Sequence, residues 1–353
     1  MTGRSLGTLL LGVAAIVMAA CSGPGGGPEP DPVWLLVSDY WDGKVQVLST
    51  TGDLDAMARG TPLNVGAASG PCGVAVGAGD RLYVADYDNG EIVVYALASA
   101  LAGGSPARLA TLNSPEMSGP CGLAFDSTGA LWVGDYNEEY VLAFRGVATL
   151  SGNQNRAADV VLTVADPGAG VLPWYGIYQV LVDAQDRLWV LDHDSETITR
   201  IDGITSLNGS VLDRVPNLQI IETIATSPPP GGDYTLYDPA SIAVDAAGRL
   251  YVGNWGEDYV TRFDGAGALT GVHYPQGSAY LVVTGVEYPY LVALDAEGAL
   301  WVGNEEKVAR VMNPASGAGT RMLTPTRTVT YSSVGGNDGG GMTFVPMPPG
   351  LGF

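Results

Sequence analysis

Five stretches of this 353-residue chain repeat one pattern: an apolar run, a tight turn, then an aromatic residue, a valine and, two residues on, Asp or Asn. They read GVAVGAGDRLYVADY (73–87), GLAFDSTGALWVGDY (122–136), QVLVDAQDRLWVLDH (179–193), SIAVDAAGRLYVGNW (241–255) and LVALDAEGALWVGNE (291–305). A partial copy, WLLVSDYWDGKVQVL (34–48), precedes them. Units this alike, repeating every 40–70 residues or so, cannot each bury a hydrophobic face alone, so they assemble as a propeller or a solenoid.

Each copy holds the strands of one sheet. The first apolar run predicts a buried strand. Asp126-Ser127-Thr128-Gly129, Asp245-Ala246-Ala247-Gly248 and Asp295-Ala296-Glu297-Gly298 are hairpin turns, with Gly where φ must be positive. The second strand carries Tyr83, Trp132, Trp189, Tyr251 or Trp301. A third follows a polar turn, as in EIVVYAL (91–97) or TITRIDG (197–203), and a weaker outer strand lies beyond it, as in DVVLTV (159–164). Four antiparallel strands therefore make one blade. The Asp or Asn ending the second strand counts the blades: Asp39, Asp86, Asp135, Asp192, Asn254 and Asn304. The first copy lacks its innermost strand, and GGGMTFVP (339–346) offers one at the other end. The expected fold is all-β, a six-bladed β-propeller closed by the C-terminal strand completing the first blade. Closure hides strand edges that would otherwise template aggregation.

Residues 1–20 read as a targeting segment: Arg4, an apolar stretch from Leu6 to Val17, then Met18-Ala19-Ala20 before Cys21. This ending resembles the bacterial lipoprotein signal. The resemblance implies removal of residues 1–20, acyl chains on Cys21 as a membrane anchor, and a cell-envelope location. Ser22, in place of Asp, is in that group compatible with the outer membrane. A plain secretory signal is the alternative. Residues 21–32, rich in Gly and Pro, form a tether, and 33–353 form the propeller. The net charge of −21 argues against nucleic acid as a partner and tolerates cations or basic proteins.

The (Leu/Val)-Ala-(Phe/Val) run before the turn and (Tyr/Trp)-Val-x-(Asp/Asn) after it resemble the NHL-repeat propellers, and the related gluconolactonase and streptogramin-lyase propellers. The gluconolactonase resemblance implies oxygen ligands for a divalent ion near the starts of the innermost strands. Here those positions are Cys72, Cys121, Tyr178, Ala240, Tyr290 and Gly340, from which four converging oxygens cannot be assembled. The lyase resemblance implies a catalytic His beside a carboxylate, and the chain has only His193, next to Asp192, and His273. Neither a GxSxG elbow, HExxH, a P-loop nor CxxC is present. The expectation is a binding module without catalysis, metal or cofactor; the alternative is a hydrolase or lyase using His193 and Asp192.

Cys72 and Cys121 occupy equivalent places on neighbouring blades. They form a disulfide if their Cα atoms come within about 7 Å, and are buried thiols otherwise. The recurrent Asp/Asn residues accept backbone hydrogen bonds at their turns. The residue after each is more informative: Tyr40, Tyr87, Tyr136, His193, Trp255 and Glu305. Strand direction puts these on one face with residues entering the inner strands, among them Trp174, Tyr178 and Tyr290. That face alternates aromatics with carboxylates, which suits a glycan, a cationic ligand or a basic peptide or protein partner. Packing between blades is the competing role for the rings. Oligomeric state is not legible here.

Overall fold

In the computed structural model the described residues are 33–50, 52–66, 69–166, 168–223, 234–331 and the strand 342–346. The predicted signal, Cys21, its tether and Gly340 lie outside them. Six sheets succeed one another along the chain, each a blade. In blade 2 the strands Pro71–Gly77, Arg81–Asp86, Glu91–Ala96 and Ala110–Asn113 pair antiparallel, and blades 3 to 6 repeat this order. No helix among the described residues is long and apolar enough to cross a membrane.

The ring closes as expected. Val33–Asp39, the second-strand equivalent of blade 1, pairs antiparallel with Met342–Pro346, from Val33 opposite Pro346 to Val37 opposite Met342. The far seam, from blade 6 back to blade 1, adds ion pairs to apolar packing of Leu54 and Met57 in one buried cluster with Trp301, Val308 and Val329. The buried Arg310 guanidinium reaches Asp295 at 2.8 Å, Glu297 at 2.6 Å and Asp55 of blade 1 at 3.1 Å. Arg327 donates to the Met57 carbonyl at 2.9 Å.

Beyond the four expected strands, blades 2 to 5 gain a fifth at the rim, which runs parallel and comes from the following blade. Gly152–Asn155 lies along Ala110–Asn113, and Gly319–Leu323 along Ala279–Val283. In three of these crossings the chain turns at a left-handed glycine, Gly146, Gly203 or Gly265, into a single 3-10 turn that redirects it toward the previous blade. Each such strap ties two blades by backbone hydrogen bonds.

The second-strand aromatics are all buried between blades. Except for Tyr83, whose hydroxyl donates to the Val147 carbonyl at 2.9 Å, their polar ends meet the hairpin turn: the Trp132, Trp189 and Trp301 indoles donate to Asp126, Asp183 and Asp295 at 2.8–3.0 Å. The other oxygen of each Asp accepts two turn amides, as from Thr128 and Ala130 to Asp126. One short side chain thus fixes the turn and the rotamer of the packed indole.

Candidate functional site

The Asp/Asn residues ending the second strands are buried, and their oxygens accept from backbone amides, with one oxygen of Asp39 and of Asp86 given to the side-chain amides of Gln46 and Asn89. Asp135 accepts from Ser118, Gly119, Asn137 and Glu138; Asp192 accepts from Tyr175, Gly176 and Ser195. Each therefore pins the loop entering the inner strand as well as the turn that follows, a wider role than a turn cap. Burial raises the carboxyl pKa of Asp39, Asp135 and Asp192 against these donors.

With the loops fixed, the following residues form a continuous aromatic belt around the axis. Ring centroids step from Tyr40 to Tyr87 (5.9 Å), Tyr136 (6.1 Å), Tyr178 (6.2 Å), His193 (5.6 Å), Trp255 (6.3 Å) and Tyr290 (6.1 Å). The tyrosine hydroxyls point toward the next blade: Tyr40 donates to Asp88 at 2.7 Å, Tyr87 to Asn137 at 2.8 Å and Tyr136 to Asp194 at 3.0 Å. Burial, then the adjacent Asp194 charge, pushes the Tyr136 phenol upward, so it stays neutral. His193 Nδ1 sits 3.2 Å from the Pro239 carbonyl, which can only accept, so Nδ1 carries the proton.

A glycine makes room for each tyrosine. The ring of Tyr40 lies against Gly70, and a Cβ there would collide with it; Gly119 and Gly176 similarly sit against Tyr87 and Tyr136. In blades 5 and 6 the corresponding residues are Asp238 and Tyr288, which take left-handed φ of 45° and 49°.

The belt encloses a cup of about 350 Å³ lined by Tyr40, Tyr87, Tyr136, Tyr178, His193 and Trp255, with Cys72 and Cys121. Six of the eight expected face residues therefore line one cavity. Tyr290 continues the belt behind Trp255 but is buried, and burial raises its phenol pKa. Trp174 requires a correction: it is 1% exposed, in the core between blades 3 and 4, with its indole 3.2 Å from Thr199 Oγ1. Its loop dips inward where the neighbouring Tyr175 stays outside, 52% exposed.

Cys72 and Cys121 are disulfide-bonded, with Cα atoms 4.8 Å apart. The Gly after Cys72 permits this: a Cβ on Gly73 would run into the Cys121 carbonyl, so only glycine lets the two inner strands approach so closely. The glycine marks the close approach, as Gly122 does against Gln179 and Val180 of blade 4, and the cysteine on each strand makes the bond.

Arginine is segregated across the disc, whereas carboxylates lie at both ends. Among the described residues, the loops on the cup face carry Asp88, Glu138, Glu139, Asp194, Asp258 and Glu306 in exposed positions, and no arginine. Their basic groups are Lys44 and Lys307, at the starts of third strands. Arginines such as Arg81, Arg187 and Arg249 sit at the opposite end, by the hairpin turns. No group of three or more His, Cys, Asp or Glu among the described residues is placed to hold a metal ion.

The fold and this axial cavity define the class: a six-bladed β-propeller with its candidate site at the mouth of the central channel. The model of the NHL repeat matches residues 69–95, which span most of blade 2. Among solved structures, a Bacteroides fragilis protein named as a candidate 6-phosphogluconolactonase aligns over 91% of this chain and 100% of its own, with TM-score 0.58 and 11% identity. A chain of a nidogen/laminin complex aligns over 88% and 98%, with TM-score 0.52 and 15% identity. A Lactobacillus plantarum protein aligns over 89% and 85%, with TM-score 0.52 and 18% identity. At these identities the likeness concerns the fold alone. No curated protein matches the sequence.

Proposed function

We propose that this propeller is a binding module that takes a positively charged ligand in the axial aromatic cup, without catalysis. The observation that carries this reading is the direction of the tyrosine hydroxyls. Because Tyr40, Tyr87 and Tyr136 donate to residues of the next blade, their rings rather than their hydroxyls form the wall. A hydrogen bond to the carboxylate of Asp88 or Asp194 enriches the ring in electron density, and the carboxylate adds its own attraction to a cation. A sugar would need donors as well as acceptors for its hydroxyls, and the O–H donors of Tyr40, Tyr87 and Tyr136 are already given to the next blade.

Hydrolase or lyase chemistry at His193 has less support. Asp192 gives its oxygens to backbone amides, and the His193 Nδ1 proton goes to a carbonyl, so no carboxylate orients the imidazole as a base. Calorimetric titration of the purified protein with n-butylammonium, n-butanol and maltose tests the reading. The ammonium should bind and the neutral compounds should not. Each cation–π contact contributes about 0.5–2 kcal/mol, so Tyr87→Ala or Trp255→Ala should weaken binding by roughly twofold to thirtyfold. Maltose binding with no ammonium binding would refute it.

A further inference from the structure

The cup is not the end of the cavity system. A lateral groove of about 490 Å³ adjoins it, lined by His193, Tyr237, Asp238, Trp255, Gly256, Tyr288 and Glu305. It shares His193 and Trp255 with the cup, so the two chambers meet across one wall. The groove opens where the blade pattern breaks. At blades 2 to 4 a glycine lets the preceding tyrosine lie down on the loop and fill this space. At blades 5 and 6 the same place is held by Asp238 and Tyr288, whose left-handed backbones leave no such seat for His193 or Trp255. Tyr237, 40% exposed, instead packs on Gly256, and Tyr288 stands 50% exposed on the far side.

We infer that the physiological occupant is an extended basic peptide segment, with one Lys or Arg side chain in the axial cup and its neighbours in the lateral groove. The inference rests on the cation-binding reading of the cup and adds the class of ligand. Three features favour it. The cup and the groove are each of a size that encloses far more than one ammonium group, within the range of ligand pockets of roughly 300–1,000 Å³. The groove carries two carboxylates, Asp238 and Glu305, and neither lysine nor arginine among its lining, which complements a second positive charge beside the first. Its remaining walls are the rings of Tyr237, Trp255 and Tyr288, flat surfaces on which amide planes and side-chain stems stack; a linear polyamine has no such planes to offer.

The test compares ligands that reach one chamber with ligands that reach both. Blocked acetyl-Gly-Lys-Lys-Gly-amide, the same peptide with both lysines acetylated, spermidine and n-butylammonium are titrated against the whole protein. The lysine peptide should bind at least tenfold more tightly than butylammonium and spermidine, and acetylation should abolish its binding. Tyr237→Ala and Asp238→Asn should weaken the peptide threefold or more while leaving butylammonium unchanged; Asn tolerates the left-handed backbone at 238, so that variant keeps its fold. Equal affinity for peptide and butylammonium, or for peptide and spermidine, overturns the peptide inference while the cup reading stands. Absence of binding by every cation overturns both.

Discussion

Removing the Cys72–Cys121 bond measures how far the propeller depends on a staple at its centre. The bond joins residues 49 apart in sequence, on the inner strands of neighbouring blades. Closing a loop of that length in the unfolded chain costs about 14 cal/mol/K of entropy, hence about 4 kcal/mol at room temperature. A chain of this size unfolds with about 0.7 kcal/mol/K of entropy at its midpoint, so the loss converts to about 6 °C in Tm. The perturbation is the double variant Cys72→Ala/Cys121→Ala, followed by circular dichroism on heating and compared with the parent with and without a phosphine reductant. Parent and variant should differ by about 6 °C when oxidised and converge once the parent is reduced. Alkylation of the unfolded, unreduced parent should modify neither of these two thiols. A Tm difference under 1 °C would refute the entropic account, and alkylation of both would refute the bond itself. Because both cysteines line the cup, the variant also tests whether the belt needs the staple to hold its shape.

Two further outcomes concern the ring as a whole. Arg310→Ala removes the buried cation that joins Asp295, Glu297 and Asp55 across the blade 6–blade 1 seam, and urea unfolding should show a loss of about 3–5 kcal/mol; a loss below 1 kcal/mol would mean the ion pairs add little to the apolar contacts and the C-terminal strand that close the ring. Glu196 is pushed up to about 7 by burial and by the neighbouring Glu222. A raised carboxyl pKa means the folded state holds its proton more tightly than the unfolded one, so the stabilisation is complete below about 4.5 and lost as pH rises through about 7. Tm should therefore fall between pH 5 and pH 8, and Glu196→Gln should flatten part of that slope; an unchanged slope would assign it wholly to repulsion among the other carboxylates.

Much of the architecture was legible because it repeats. The aromatic-Val-x-Asp pattern marks the second strand of a blade each time, and the missing inner strand of the first copy points to the segment that closes the ring. The parallel rim strands were not legible for the opposite reason. GNQN at 152–155 is polar and largely exposed, with no apolar alternation, so its partner across the blade boundary is chosen by chain direction rather than burial. Trp174 failed for a third reason: loop position gave its face, but only the path of the backbone decides whether Trp174 or Tyr175 turns inward.

The cup itself depends on a relation that no single repeat displays. A tyrosine after the Asp of one blade needs a glycine in the loop of the next, so the pairs Tyr40/Gly70, Tyr87/Gly119 and Tyr136/Gly176 belong to different copies of the motif. Aligning copies with each other shows both positions as variable; aligning each copy with its successor shows them as partners. The same comparison locates the break, since His193 and Trp255 face Asp238 and Tyr288 instead of glycine. On the glycine side the rings are held down by packing and by the hydroxyl bonds, which fixes a rigid wall at little further cost in entropy. On the other side two residues accept an uncommon backbone conformation and the space stays open. Under the proposed peptide reading, this departure from the repeat is what leaves the lateral groove for the residues that flank the cation in the cup.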